Sequence, residues 1–301
     1  MAGHKTSVTI HQNHSDPQNS HSNKKSTYIK DSGSRIKSIA EIYGLDAKLK
    51  STKPEKSTLE RALNRDKQRR EQRQNNLEKI IQYSHTFCND EASGDPDQDW
   101  LNRFFDMAQD IHNTSMQKLW AQILKLEVTN PGSTSVKALK VLKDMTPKEA
   151  QFLQKAASLS CSFGNGDNNK KLLIGYRTQT GLFSLTKRDI EETINLGSYH
   201  LPYSSILLLV ELGLVIGTEL ESGEIEFDPA LTLNYQGKII SLQPTGKGSR
   251  LLYYRLSPVG NELCKLLGNK PNMKYFDQLV SLLAQKFTIQ TEVKNTINQV
   301  V

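Results

Sequence analysis

The sequence predicts a mainly α protein with an α+β part, in which an N-terminal helical module is followed by a winged-helix-like domain. Three observations carry this reading. Apolar residues recur at helical spacing from about residue 75 to residue 160; the period shortens towards two beyond the Gly164–Asn169 turn; and the elements beyond that turn follow the order of a winged helix. The expected organisation is a polar tail over 1–33, a short helix and linker over 34–56, the helical module over 57–160, the winged-helix-like domain over 161–270, and a C-terminal helix and tail over 271–301.

Each element has its own signal. Residues 1–33 carry almost no large apolar side chain, so ordering them would have no burial to offset its entropy. Ile36, Ile39, Ala40, Tyr43 and Ala47 mark a short amphipathic helix that docks on something, followed by the STKPEKS linker. The helix from Thr58 to Phe87 is polar through five turns and apolar only from Leu77, so its far end packs and its near end projects. Asp99 is placed to cap the next helix, with its stripe of Trp100, Leu101, Phe104, Phe105, Ala108 and Ile111. Met116, Leu119, Trp120, Ile123 and Leu124 resume the period after Asn113, and Trp100 and Trp120 are assigned to the core. The Pro131-Gly132-Ser133 turn leads to a short helix on Val136, Leu139 and Leu142, and Thr146-Pro147-Lys148-Glu149 forms a capping box with proline at the first helical position.

Beyond Gly164, LLIGYR (172–177) and LFSL (182–185) read as strands, and Thr186 with Asp189 reads as a second capping box for a helix over Lys187–Asn195. Pro202 opens an apolar helix that breaks at Gly213. LVIGTEL, EIEFD, LTLNYQ, KIISLQ and RLLYYRLS read as strands, the last two joined by a Pro244–Ser249 loop. Helix restarts at Ser257-Pro258, and a final amphipathic helix spans Tyr275–Phe287.

Composition narrows the function classes. The longest apolar run, Ile206–Gly217, is too short to span a membrane and contains Glu211, and the first thirty residues hold no apolar signal core, so a cytoplasmic protein is expected. Cys88, Cys161 and Cys264 are odd in number and far apart, which suits reduced thiols rather than disulfides or zinc ligands. His4, His11, His14 and His21 lack acidic and thiol partners, so they read as solvated tail residues.

The net charge of +7 is not concentrated in one place. Residues 1–30 hold four bases against one acid, 31–99 thirteen of each, 100–160 eight against five, and 161–301 fourteen against thirteen. The alternative reading is a sequence-independent nucleic-acid or ribosome binder that uses Arg61, Arg65, Lys67, Arg69, Arg70 and Arg73, with Lys247 and Arg250 at the hairpin tip. Against it, Glu60, Asp66, Glu71 and Glu78 interleave with those bases as on an ordinary solvated helix. Base readout by the Pro202–Leu212 helix is disfavoured, because its polar residues are Tyr203, Ser204, Ser205 and Glu211. So apolar a helix belongs in a core or at an interface, and Tyr203, Ile206, Leu209 and Val210 are the candidate partner surface.

No catalytic constellation emerges and no cofactor is expected. Asp99, Arg103, Asp106 and Asp110 share one helix face, and a metal-dependent nuclease on Asp106 and Asp110 is the enzymatic alternative, but no histidine or nucleophile stands with them. His112 ends that helix as a lone surface group, GKGSR (246–250) lacks phosphate-loop spacing, and Cys161 has no histidine partner that sequence identifies.

The stretch Asp99–Leu153, with RREQRQNNLEKII (69–81) before it, resembles a bacterial domain-of-unknown-function family. The Trp120-Ala121-x-Ile123-Leu124 block, the Pro131-Gly132-Ser133 turn and Thr146-Pro147-x-Glu149-Ala150 resemble, more distantly, the Abi-alpha proteins of abortive infection, and LVELGLV (209–215) and YRLSPVGNEL (254–263) are similar to their C-terminal half. The resemblance spans about residues 58–267 and rests on core apolars, turns and caps, so no catalytic residue is carried over. It implies a non-enzymatic interaction protein, a sensor or effector in phage defence, acting through a protein partner or self-association.

Overall fold

A computed structural model describes residues 31–50, 55–164, 169–180, 188–267 and 270–291. They group into two compact units, 1–68 and 69–301. Residues 1–30 of the expected polar tail, with the tail histidines, and the LFSL strand lie outside the described residues, as does Thr186, while the last three residues assigned to the tail, Asp31 to Gly33, open the first helix.

In the first unit, α1 (Ser32–Ile42) is capped by Asp31, which accepts from the Ser34 amide and hydroxyl. The short helix marked by residues from Ile36 to Ala47 stops at Ile42, because Gly44 adopts φ +64° and the Leu45 amide closes back on Ala40. A single 3-10 turn follows at Asp46–Lys48. Neither element buries a residue, and Ile36, Ile39, Ile42 and Tyr43 are exposed. Helix α2 (Thr58–Phe87) starts on a reciprocal cap, with the Glu60 amide donating to Ser57 Oγ and the Ser57 amide to the Glu60 carboxylate.

From Arg69 onwards one hydrophobic core runs from Ile80 to Phe287, and the helices and sheets share it. Asp97, not Asp99, caps α3 (Gln98–Ala108), its carboxylate accepting from the Trp100 amide; Asp99 falls in the first turn, where its charge still suits the helix dipole. Asn113 caps α4 (Thr114–Thr129) and Ser135 caps α5 (Val136–Asp144). Both halves of the expected capping box are formed at Thr146 and Glu149, opening α6 (Pro147–Leu159). Trp100 stacks on Phe104 at 5.2 Å, and Phe104 meets the fully buried Trp120 at the same distance, so both tryptophans are core residues.

The strands form two antiparallel sheets. One has the order β3 (Arg188–Thr193), β2 (Lys171–Thr180), β7 (Arg250–Arg255), β4 (Leu220–Glu221). The other has the order β1 (Ser162–Phe163), β5 (Leu231–Tyr235), β6 (Lys238–Pro244), β8 (Phe287–Thr291). Four sequence expectations are corrected here. Residues 188–193 are strand, not helix: Arg188-Asp-Ile-Glu-Glu-Thr193 pairs with β2 from Gly175↔Thr193 to Thr180↔Arg188. Gly175 permits this approach, since a Cβ there would stand 2.0 Å from the Glu192 carbonyl oxygen. Second, β6 and β7 do not pair as a hairpin; the Pro244–Ser249 loop carries the chain from one sheet to the other. Third, EIEFD forms no strand, and LVIGTEL contributes only its last residue, Leu220, to β4 and a bridge from Val215 to Leu256. Fourth, the last helix, α9 (Met273–Leu283), ends early because Phe287 begins a strand against Pro244.

A buried carboxylate organises the helical half. Glu127, 1% exposed, accepts from the Gly132 amide at 2.6 Å, the Thr134 amide at 3.0 Å and the Ser133 hydroxyl at 3.2 Å. The Thr134 carbonyl accepts from Trp100 Nε1 at 2.7 Å, and the next residue, Ser135, donates through amide and hydroxyl to Glu262 on α8 (Pro258–Leu266). Glu127→Ala leaves those turn donors without an acceptor and is expected to cost about 2–3 kcal/mol in urea unfolding. Trp120→Ala is expected to cost about 3–5 kcal/mol by the same measurement; a variant that kept its melting temperature would remove Trp120 from the core.

Candidate protein-interaction surface

Helix α7 (Tyr203–Glu211) follows a 3-10 turn at Leu196–Tyr199, with Pro202 in extended conformation at its cap. Its period divides the candidate partner residues. Ser205, Ile206 and Leu209 turn inwards, Ile206 being 4% exposed and Leu209 fully buried in the chain's own core. Val210 is half-buried, and its Cγ1 lies where a Cβ on Gly217 would approach to 3.0 Å. Tyr203 and Leu207, one turn apart, face outwards at 61% and 47% exposed. The surface on this helix is therefore carried by Tyr203 and Leu207, with Ile206 and Leu209 supporting it from beneath.

Neighbouring strands extend the face. Beyond the turn at Gly213 the chain bridges to Leu256, just past β7, and the Ile216 amide donates to the Arg255 carbonyl with the Ile216 side chain exposed. On β7 the Tyr254 hydroxyl lies 3.5 Å from the Glu219 carboxylate. Burial, and then the negative charge of Glu219 and the nearby Tyr203 hydroxyl, raise the Tyr254 pKa above the ordinary phenol value, which brings Tyr203, Tyr254 and Glu219 into one electrostatic neighbourhood. The resulting face is apolar with acids at Glu211 and Glu219. Leu207, Ile216 and Tyr254 escaped the sequence reading, although the four-residue step from Tyr203 marks Leu207 on the outward stripe.

A second apolar groove of about 890 Å³ lies on the far end of α2, with Leu77, Ile81 and Phe105 between the polar side chains of Gln74, Glu78 and His85.

The candidate phosphate-binding residues do not share one environment. In the first unit the Arg61 guanidinium donates to the Lys56 carbonyl at 2.5 Å and the Thr58 hydroxyl at 3.2 Å, and Arg65 and Lys67 are exposed. In the second, Arg69 and Arg70 are exposed, whereas Arg73 grips Asp110 with Nε at 2.8 Å and Nη2 at 3.1 Å. Lys247 is exposed in its turn, and Arg250 donates to Glu221, which also receives Arg177. Arg177 in turn binds Glu191 on the adjacent strand.

The nuclease pair is likewise altered, because Asp110 is committed to Arg73. The Arg73 hydrogen bond, with the charges of Arg73, Arg69 and Lys143, holds the Asp110 carboxyl below the ordinary carboxylate range against partial burial. Asn76 fastens the turn around Asp110, donating to the Gln109 carbonyl at 2.9 Å with His112 Nδ1 at 3.4 Å. Among the described residues no group of three or more His, Cys, Asp and Glu is placed to hold a metal. Cys161 and Cys264 are buried, and desolvation pushes both thiols up to about 12, which makes them poor nucleophiles. Among the described residues no helix is long and apolar enough to cross a membrane.

A profile for the family described as "Protein of unknown function (DUF2806)" matches residues 60–280. No curated protein and no solved structure matches the chain.

Because the folded pKa of Asp110 lies below its unfolded value, its pair with Arg73 contributes stability at neutral pH and loses it as pH falls through the folded value. Both partners are partly exposed, so Asp110→Asn is expected to cost under about 1 kcal/mol at pH 7. The difference from the parent in urea midpoint should shrink below about pH 4; a difference that kept its full size in acid would place the effect elsewhere.

Proposed function

The chain belongs to the DUF2806 family, and on that premise we propose that it is a non-enzymatic interaction protein that docks a protein partner, or a second copy of itself, on the outward face of α7. The observation that carries the reading is the pair Tyr203 and Leu207, exposed on a helix whose other outward residues are Ser204 and Glu211. An exposed apolar face rimmed by acids suits a protein surface, since a tyrosine and a leucine supply buried area on contact. The same acids oppose a phosphate backbone. The likeness of Trp120-Ala121-x-Ile123-Leu124 and Thr146-Pro147-x-Glu149-Ala150 to the Abi-alpha proteins supports a bacterial, cytoplasmic sensor or effector of phage defence as the setting.

The winged-helix reading of the α+β part belongs to this proposal. It is supported by α7 standing just before β4 and by the order β2-β7-β4, in which the last strand of the three lies between the first two. The β5–β6 pair occupies the connection where a wing would be. In this reading α7 holds the place of a recognition helix but presents Tyr203 and Leu207 where a DNA reader needs Arg, Lys, Asn or Gln.

A photo-crosslinking side chain at position 207, introduced in cells challenged with phage, is expected to yield one protein adduct of defined mass. Leu207→Lys is expected to weaken that contact by about 2 kcal/mol, roughly thirtyfold, with the melting temperature unchanged. Absence of any adduct, or a Leu207→Lys variant that binds as the parent does, would sink the reading.

A further inference from the structure

Helix α5 separates its residues sharply. Ala138, Leu139 and Leu142 are fully buried against α3 and α8, while Lys137, Lys140 and Lys143 stand exposed on the opposite face at three-residue spacing. Among the described residues none of these three lysines forms an ion pair, unlike Lys125, which binds Glu91, and Arg177 and Arg250, which share Glu221. Helix α5 packs on α3, and the charges of Lys143, Arg69 and Arg73 all reach the Asp110 carboxyl just beyond the end of α3. Within α5 itself the three lysines are accompanied by one acid, Asp144.

The spacing suits a polyanion. Six residues of helix separate Lys137 from Lys143, about 9 Å, over which a nucleic-acid duplex carries roughly five phosphate charges. Lysine ammonium groups on flexible stems meet phosphates as point charges, and nothing on this face offers the bidentate geometry that reads a base edge. We propose that Lys137, Lys140 and Lys143 bind the phosphate backbone of a nucleic-acid duplex without reading its sequence. This site lies on a different helix from the protein-docking face and does not depend on it. It replaces the α2 and hairpin-tip bases as the centre of phosphate contact, since Arg73 and Arg250 are each held by a carboxylate.

The test is fluorescence anisotropy of the full chain with labelled DNA and RNA duplexes of about 20 base pairs, between about 50 and 200 mM salt. The parent is expected to bind both duplexes at micromolar Kd in low salt, within a few-fold of each other, and to weaken steeply as salt rises. The triple variant Lys137→Gln, Lys140→Gln, Lys143→Gln is expected to bind at least tenfold more weakly, with the slope of log K against log salt reduced by roughly 2 to 3. Lys148→Gln with Lys155→Gln, which removes exposed charge from α6, should leave both quantities within about twofold and controls for net charge. Circular dichroism and melting temperature of each variant confirm that α5 is intact. The proposal is overturned by no duplex binding at low salt, including the case in which only an acidic protein is bound. It is equally overturned by a triple variant that behaves like the α6 control, or by a preference above about tenfold for one duplex, which would mean recognition of groove or sugar rather than phosphate.

Discussion

The Glu127 carboxylate is the interaction on which the helical half depends. A charge buried to 1% exposure tolerates its desolvation only where hydrogen bonds surround it, and here two amides and a hydroxyl of the Gly132–Thr134 turn converge on it. Fixing that turn fixes the entry to α5. Trp100 from α3 holds the Thr134 carbonyl, and Glu262 from α8 takes the amide and hydroxyl of Ser135, the residue whose side chain caps α5. One acid on α4 thereby sets the relation of α3, α5 and α8. It also keeps Ala138, Leu139 and Leu142 inward and the three α5 lysines outward, so the surface chemistry of α5 follows from a buried contact.

A comparable arrangement joins helix to sheet. The Tyr235 hydroxyl donates to the Ser158 carbonyl at the end of α6 and accepts from the Asn272 amide at the start of α9. Lys171 places its ammonium 2.9 Å from the Phe163 carbonyl and 4.7 Å above the Phe163 ring, so its charge is met within the core. These contacts link residues far apart in sequence, which is why the helical module and the α+β part, separable by their periodicity, share one core.

How much of this was legible in the sequence depended on the range of the deciding interaction. The Thr146–Glu149 capping box and the Asn113 and Ser257 caps are local, and the helices begin there. Core assignment of Trp100 and Trp120 followed from a wide apolar stripe. The segment over 188–193 misled because Thr186-x-x-Asp189 imitates a cap, while its true partner is β2, and the Gly175 that lets the strands meet lies more than ten residues away. The expected hairpin failed for the same reason: KIISLQ and RLLYYRLS alternate as strands, but alternation does not say which sheet each joins. On α7 the apolar run concealed which residues face outwards until the core was in place, so Ile206 and Leu209 looked equivalent to Tyr203.

Charge was the least legible property, because counting cannot see pairing. By count the α2 bases dominated, yet Arg73 is held by Asp110, as Arg250 is by Glu221, whereas α5, with three lysines in nine residues, drew no notice. Successive lysines on α5 rise by about 4.5 Å, well inside the screening length of about 8 Å at physiological salt, so they act as one charge density rather than as isolated groups. Like charges at such spacing each cost a helix about 0.2–0.5 kcal/mol, a penalty that Asp144 offsets only in part. A phosphate backbone on that face would relieve the repulsion. Binding there and the stability of α5 are thus linked through the same three side chains, and each should strengthen the other most where salt is low.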